Sequence, residues 1–133
     1  MKRIADSGFL IALLDRSDAH HGWAEQLSQS EPTPWLVCEP VITEAAFMVG
    51  TPEPLLEMIA AGDLEIGLDV EKECQALLAL VARYRERDME LADACVVRLS
   101  EMHRDCLVLT VDRDDFTVYR RNGRSLVPCR FPS

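Results

Sequence analysis

The sequence predicts an α/β fold, a three-layer α/β/α sandwich with a central parallel sheet, and two patterns carry that prediction. Short apolar runs such as Trp35–Cys38 and Leu107–Leu109 read as strands buried on both faces, which is what a parallel sheet demands. Between them lie longer stretches whose apolar residues recur every three or four positions, the period of helices that cover such a sheet.

Residues 2–5 form an extended lead-in to Asp6. Phe9, Leu10, Ile11, Leu13 and Leu14 then make the core face of a first helix, with Ser7 as its expected N-cap. Residues 19–29 predict a second, more polar helix, closed by Pro32 and Pro34. After the strand at 35–38, Pro40 fits the first turn of a third helix running through VITEAAFMV and ended by Gly50. Residues 54–61 repeat helical spacing, and LEIGL at 64–68 alternates as a strand does. Apolar residues at 70, 74, 77, 78, 81 and 84 predict a long amphipathic helix over Val70–Arg85. A further helix covers 90–103. Leu107, Val108, Leu109 and Val111 make the next strand, and Leu126 with Val127 an edge strand. No repeat, linker or low-complexity segment interrupts residues 1–133, so one domain is expected.

Composition narrows the function. Apolar residues make up 48% and charged residues 28%, a globular balance rather than a disordered one. No apolar run approaches the ~20 residues a membrane helix needs. Lys2 and Arg3 precede a short apolar stretch, but Asp6 interrupts it and no small-residue cleavage site follows, so a cytoplasmic location is expected. The five cysteines are widely spaced with no CxxC pair and read as buried thiols rather than zinc or redox ligands. His20 and His21 are adjacent, point about 100° apart on a helix, and read as surface. The net charge of −9 excludes a protein that holds nucleic acid by bulk electrostatics alone. The charge is uneven, however: residues 1–97 carry 18 acids and 7 bases, whereas residues 98–133 carry 5 acids and 7 bases. Arg113, Arg120, Arg121, Arg124 and Arg130 lie in that second part.

Four carboxylates stand apart because their neighbours are apolar. Asp6 ends one strand and opens a helix, the edge at which parallel sheets present ligand-binding groups, and Asp112 does the same after LVLTV. A helix cap is the alternative reading for each. Glu44 has Val41, Phe47 and Met48 at helical spacing, and Asp93 has Met89, Val96 and Val97. Carboxylates on such stripes need a cation or hydrogen bonds, because an unpaired buried charge costs several kcal/mol or becomes protonated. For Asp93 the helix dipole is an alternative source of stabilisation. Four acids from two strand ends and two helices can converge at one sheet edge. There Mg²⁺ or Mn²⁺, which favour oxygen donors, would relieve their repulsion. The chemistry such a site suits is phosphodiester hydrolysis.

The local contexts ADSGFLIALL, EPVITEAAF, MELADACVV and LTVDRDDFTVYRRNGR together resemble the four-acid signature of PIN-domain ribonucleases, in particular the VapC toxins of toxin–antitoxin pairs. The resemblance runs from residue 2 to about residue 128. It implies a PIN-like fold over 1–133 and a Mg²⁺- or Mn²⁺-dependent endoribonuclease that cleaves RNA by activated water. Asp6, Glu44, Asp93 and Asp112 would then hold the metal or its water. Thr110 would orient the acidic site or contact phosphate, and Asp115 and Asp88 are nearby acids that could assist or be solvated. Arg120, Arg121 and Arg124 would track the RNA backbone. The resemblance also implies a homodimer inhibited by a small antitoxin, with Trp23 and Leu27 available for contacts or for the core. Gly8 departs from the pattern, since many PIN domains carry Ser or Asn two residues after the first acid.

Other acidic α/β classes fit less well. A receiver-type phosphotransfer domain needs a late lysine, and the lysines here are Lys2 and Lys72. Aspartyl-phosphate phosphatases need a second Asp where Gly8 stands. The rival that survives is a PIN-like RNA- or protein-binding module without catalysis, and retention of all four acids weighs against it.

Overall fold

The computed structural model describes residues 1–133. Its main sheet has five parallel strands in the order β3-β2-β1-β4-β7, formed by β1 (Lys2–Ala5), β2 (Trp35–Val37), β3 (Leu64–Ile66), β4 (Cys106–Leu109) and β7 (Cys129–Arg130). The chain builds outward from β1 to β3, then crosses back to place β4 on the other side of β1. The strand order reverses between β1 and β4. In open parallel sheets the crevice beyond the carboxyl ends at such a reversal is where ligands bind. Ala5 pairs with Leu109 in register, so Asp6 and Thr110 leave the sheet side by side at that point.

Helices α1 (Ser7–Leu14), α2 (His21–Ser30), α3 (Glu39–Val49), α4 (Glu53–Ala60), α5 (Cys74–Arg83), α6 (Leu91–Met102) and α7 (Arg113–Phe116) complete the α/β/α sandwich. Side-chain alternation along β2 shows both faces covered. Trp35 meets Phe9 of α1 edge-on at 5.1 Å, while Leu36, next in the strand, closes with Leu99 of α6 around Gly67. Helix α6 supplies the longest buried stripe, with Ala94, Cys95, Val96, Val97 and Leu99 all inaccessible. Gly50 ends α3 with φ 99°, the left-handed cap that glycine adopts without Cβ strain. No helix is long and apolar enough to cross a membrane.

Several local expectations are corrected. Asp6, not Ser7, is the N-cap of α1: its Oδ1 accepts the Ser7 N–H at 2.9 Å, which leaves the Ser7 hydroxyl for another partner. The helix expected from Val70 begins only at Cys74, because Asp69 Oδ1 accepts the N–H groups of Glu71 and Lys72 and holds a turn there. The edge strand lies at Cys129–Arg130 rather than at Leu126–Val127. Leu126 is instead in a small hairpin, β5 (Arg120–Arg121) with β6 (Ser125–Leu126). A three-residue loop, 122–124, joins the two strands, and its first two residues, Asn122 and Gly123, are at positive φ, a conformation that Asn and Gly tolerate best. Of the two roles open to Trp23 and Leu27, the structure shows packing: Trp23 is half-buried, edge-on to Phe9 at 5.9 Å, and Leu27 is buried in the core. His21 is half-buried, with Nδ1 2.8 Å from the Ala12 carbonyl, and ties α2 to α1. Cys74 is exposed, unlike Cys38, Cys95 and Cys106.

Candidate active site

At the carboxyl edge of β1 and β4 a pocket of about 520 Å³ is lined by seven carboxylates, those of Asp6, Glu44, Asp88, Glu90, Asp93, Asp112 and Asp115, and by a single guanidinium, Arg87. Each acid arrives from its own element for a local reason. Asp6 caps α1 as β1 ends. Asp112 caps α7, its Oδ1 accepting the Asp115 N–H at 3.0 Å. Asp93 lies in the first turn of α6, where the positive end of the helix dipole favours a negative charge. Glu44 projects from the middle of α3.

Hydroxyl groups fix three of these acids. Thr110, fully buried, donates from Oγ1 to Asp6 Oδ2 at 2.7 Å and accepts the Asp112 N–H at 3.0 Å. Ser7 donates from Oγ to Glu44 Oε1 at 2.7 Å. Tyr119 donates from its phenol to Asp93 Oδ2 at 2.8 Å. The closest grouping is Asp93, Asp112 and Asp115, which can bring one oxygen each within 4.8 Å of one another.

Burial, with the neighbouring charges adding to it, raises the carboxyls of three of these acids, Asp6, Asp93 and Asp112. Burial raises the Asp6 carboxyl to about 6, against the hydrogen bonds from Thr110 and Ser7 that favour its charged form, and the charges of Asp112 and Glu44 add to the rise. Burial likewise raises Asp93 to about 7, reinforced by the charge of Asp6 and opposed by the Tyr119 hydrogen bond. Asp112 is also raised, chiefly by burial. Carboxylates that cannot all ionise together are what a divalent cation would relieve. The donors are hard oxygens, and neither histidine nor cysteine lines the pocket, so the residues fit Mg²⁺ or Mn²⁺ rather than zinc.

The structure thus brings Asp6, Glu44, Asp93 and Asp112 together, with Thr110 beneath them and Asp88 and Asp115 at the wall. Asp115 is more intimately placed than its sequence context suggested, in the tightest trio and paired with Arg87 Nη2 at 2.8 Å. The environment of Glu44 also differs from expectation. Val41 is buried in the core, but Phe47 is 83% and Met48 60% exposed, so the apolar stripe beside Glu44 leaves the core towards the end of α3, where Met48 lines the pocket. Arg120, Arg121 and Arg124 do not line the pocket. Arg120 Nη1 donates to the carbonyls of Thr117, Val118 and Tyr119, and Arg121 Nη1 to those of Ser100 and Arg104; Arg124 is exposed. Gly8 has a steric reason: a Cβ there would strike Val111 Cγ2. Tyr119, Arg87 and Glu90 were not foreseen. Arg87 and Glu90 flank Asp88 and Met89 just before α6 in a charged run that reads as solvated surface, and nothing in the sequence marks a lone tyrosine between Val118 and Arg120.

Comparison with known proteins agrees with this geometry. The chain is 25% identical over 126 residues to Ribonuclease VapC26 of Mycobacterium tuberculosis (strain ATCC 25618 / H37Rv), an alignment covering 90% of this chain and 93% of that protein. The family model for the PIN domain matches residues 3–122, and with nearly the whole sheet and every acid of the pocket inside that span, the chain belongs to the PIN domain family.

Proposed function

We propose that this protein is a Mg²⁺- or Mn²⁺-dependent endoribonuclease that hydrolyses RNA phosphodiester bonds, acting as the toxin of a toxin–antitoxin pair. The observation that carries the reading is the meeting of Asp6, Glu44, Asp93 and Asp112 in one pocket at the strand-order reversal. The likeness to a VapC ribonuclease along most of both chains supports the same reading.

Asp93, Asp112 and Asp115 would hold the cation, with Asp6 behind them. Magnesium or manganese, when bound, supplies a Lewis acid that polarises a phosphoryl oxygen and lowers the pKa of water. The protein's own share is orientation. Asp6 is clamped on both oxygens, by the Ser7 N–H and the Thr110 hydroxyl, which fixes the floor of the site. Glu44 is tied through Oε1 to Ser7, leaving Oε2 to orient a water. Arg87 is the basic group at the pocket wall; shared with Asp115 by an ion pair, it can turn to an incoming phosphate. Of the three arginines near the hairpin, Arg124 is the one whose exposure suits contact with the RNA backbone.

Phe47, Met48 and Leu56 are exposed on α3 and α4, and Met48 also lines the acidic pocket. An apolar margin beside an acidic cleft suits an antitoxin segment that buries the first and places basic residues in the second. A homodimer and a cytoplasmic location complete this reading.

The test is cleavage of RNA by purified, antitoxin-free protein in Mg²⁺ or Mn²⁺. We expect cutting that EDTA abolishes and that Asp93→Asn reduces by at least about 100-fold, since the substitution removes a charged ligand at the reacting centre. Undiminished cutting by the variant would refute the assignment. RNA binding without cutting by wild type would favour the non-catalytic module.

A further inference from the structure

We propose that Tyr119 is a positioning residue for the cation site, setting the orientation of the Asp93 carboxylate through its phenol. This inference rests on the metal-dependent reading above and assigns a task to a residue outside the four acids.

A carboxylate in the first turn of a helix is not rigid on its own account. The terminal torsion of aspartate is broad and roughly two-fold, so an oxygen donor needs an outside partner to hold it. Asp6 has the Thr110 hydroxyl and the Ser7 N–H, Glu44 has the Ser7 hydroxyl, and Asp112 has the Asp115 N–H. For Asp93 the partner is the phenol of Tyr119, 26 residues further along the chain, which binds Oδ2 and leaves Oδ1 without a protein hydrogen bond. The group available to a cation is thereby singled out.

Tyr119 is itself held firmly. It is 1% exposed, and its ring meets Tyr84 edge-on at 5.0 Å and Phe116 at 5.2 Å. Its N–H donates to the Asp115 carbonyl at 3.0 Å. Asp115 is a member of the close acid trio, so one residue ties the backbone of one acid and the carboxylate of another. Groups that orient metal ligands in this way typically govern metal affinity by about 10–100-fold.

The competing explanation is that Asp93 merely satisfies a buried phenol, since such hydroxyls usually find a partner. Under that explanation Tyr119→Phe, which keeps the ring and its packing, changes stability and leaves the site's affinity for metal alone. Tyr84→Phe is the matched control. It removes a phenol from the same aromatic pair, one that accepts the Arg120 N–H at 2.9 Å and touches no pocket acid.

The experiment is titration of the intact, metal-stripped proteins with Mn²⁺ alone, followed by electron paramagnetic resonance or calorimetry, with thermal melting in EDTA alongside. The expected result is Mn²⁺ binding by wild type and Tyr84→Phe with equal affinity, and about 10–100-fold weaker binding by a folded Tyr119→Phe. RNA cleavage by Tyr119→Phe should recover at raised Mn²⁺ with KM for RNA unchanged. Equal Mn²⁺ affinity in wild type and Tyr119→Phe overturns the inference while leaving the metal-dependent reading intact. Absence of Mn²⁺ binding in wild type overturns both. Should Tyr119→Phe melt early, the titration is made at a temperature below its melting onset, where the folded variant must still show the weakened binding.

Discussion

Asp6 is 4% exposed, and its carboxyl stays protonated up to about pH 6 instead of 3.8. Asp93 shows the same displacement, to about 7. A carboxyl raised in the folded state binds protons that the unfolded chain has released, so stability falls as pH climbs from the unfolded value through the folded one. For the metal-free protein, stability should therefore decline between about pH 4 and pH 7 and level off above. Asp6 alone accounts for a loss on the order of 3 kcal/mol, at about 1.4 kcal/mol per pKa unit. Because ligands must give up protons to bind a cation, Mn²⁺ should raise the melting temperature far more at pH 8 than at pH 5. Melting curves in EDTA and in Mn²⁺ across this range check both statements; a metal-free protein more stable at pH 8 than at pH 5 would contradict the first, and a Mn²⁺-induced rise no larger at pH 8 than at pH 5 the second. The acids themselves were legible in the sequence because apolar neighbours surround them. For Asp93 that reasoning holds, with Val96 and Val97 inaccessible, whereas Glu44 lies in the pocket although Phe47 and Met48 are exposed. Tyr119 and Arg87 were not legible, since a phenol or guanidinium gains its meaning from partners 26 and 28 positions away.

Among the elements, those written in local patterns were readable, and those decided by single side chains were not. Apolar runs and helical periods locate four strands of the sheet and the main helices, and Gly50 marks the end of α3. The start of α5 escaped because Asp69 competes for the N–H groups of the would-be first turn, a local capping preference stronger than hydrophobic period. The hairpin after α7 escaped although Asn122–Gly123 is a strong turn signal, because only two residues on each side pair. That hairpin allows a sharp test. Gly123 has φ 69°, and a Cβ there would meet the Arg83 guanidinium. Left-handed backbone costs a non-glycine residue roughly 1–2 kcal/mol, so Gly123→Ala should lower unfolding free energy by about that amount in urea titration. A neutral effect would mean that the turn relaxes without loss.

Over the whole molecule, the sheet's strand order decides where the chemistry can sit. By returning from β3 to lay β4 beside β1, the chain carries Asp6 and Asp112 to neighbouring strand ends more than a hundred residues apart in sequence, and α3 and α6 bring Glu44 and Asp93 over the same edge. The pocket concentrates negative charge in a protein already at −9, an arrangement that favours a divalent cation over bare nucleic acid. The most direct measurement is an anomalous difference map from crystals equilibrated with Mn²⁺. The account predicts a peak among Asp93, Asp112 and Asp115, at roughly 2 Å from carboxylate oxygen. A map at saturating Mn²⁺ with that pocket empty would contradict it.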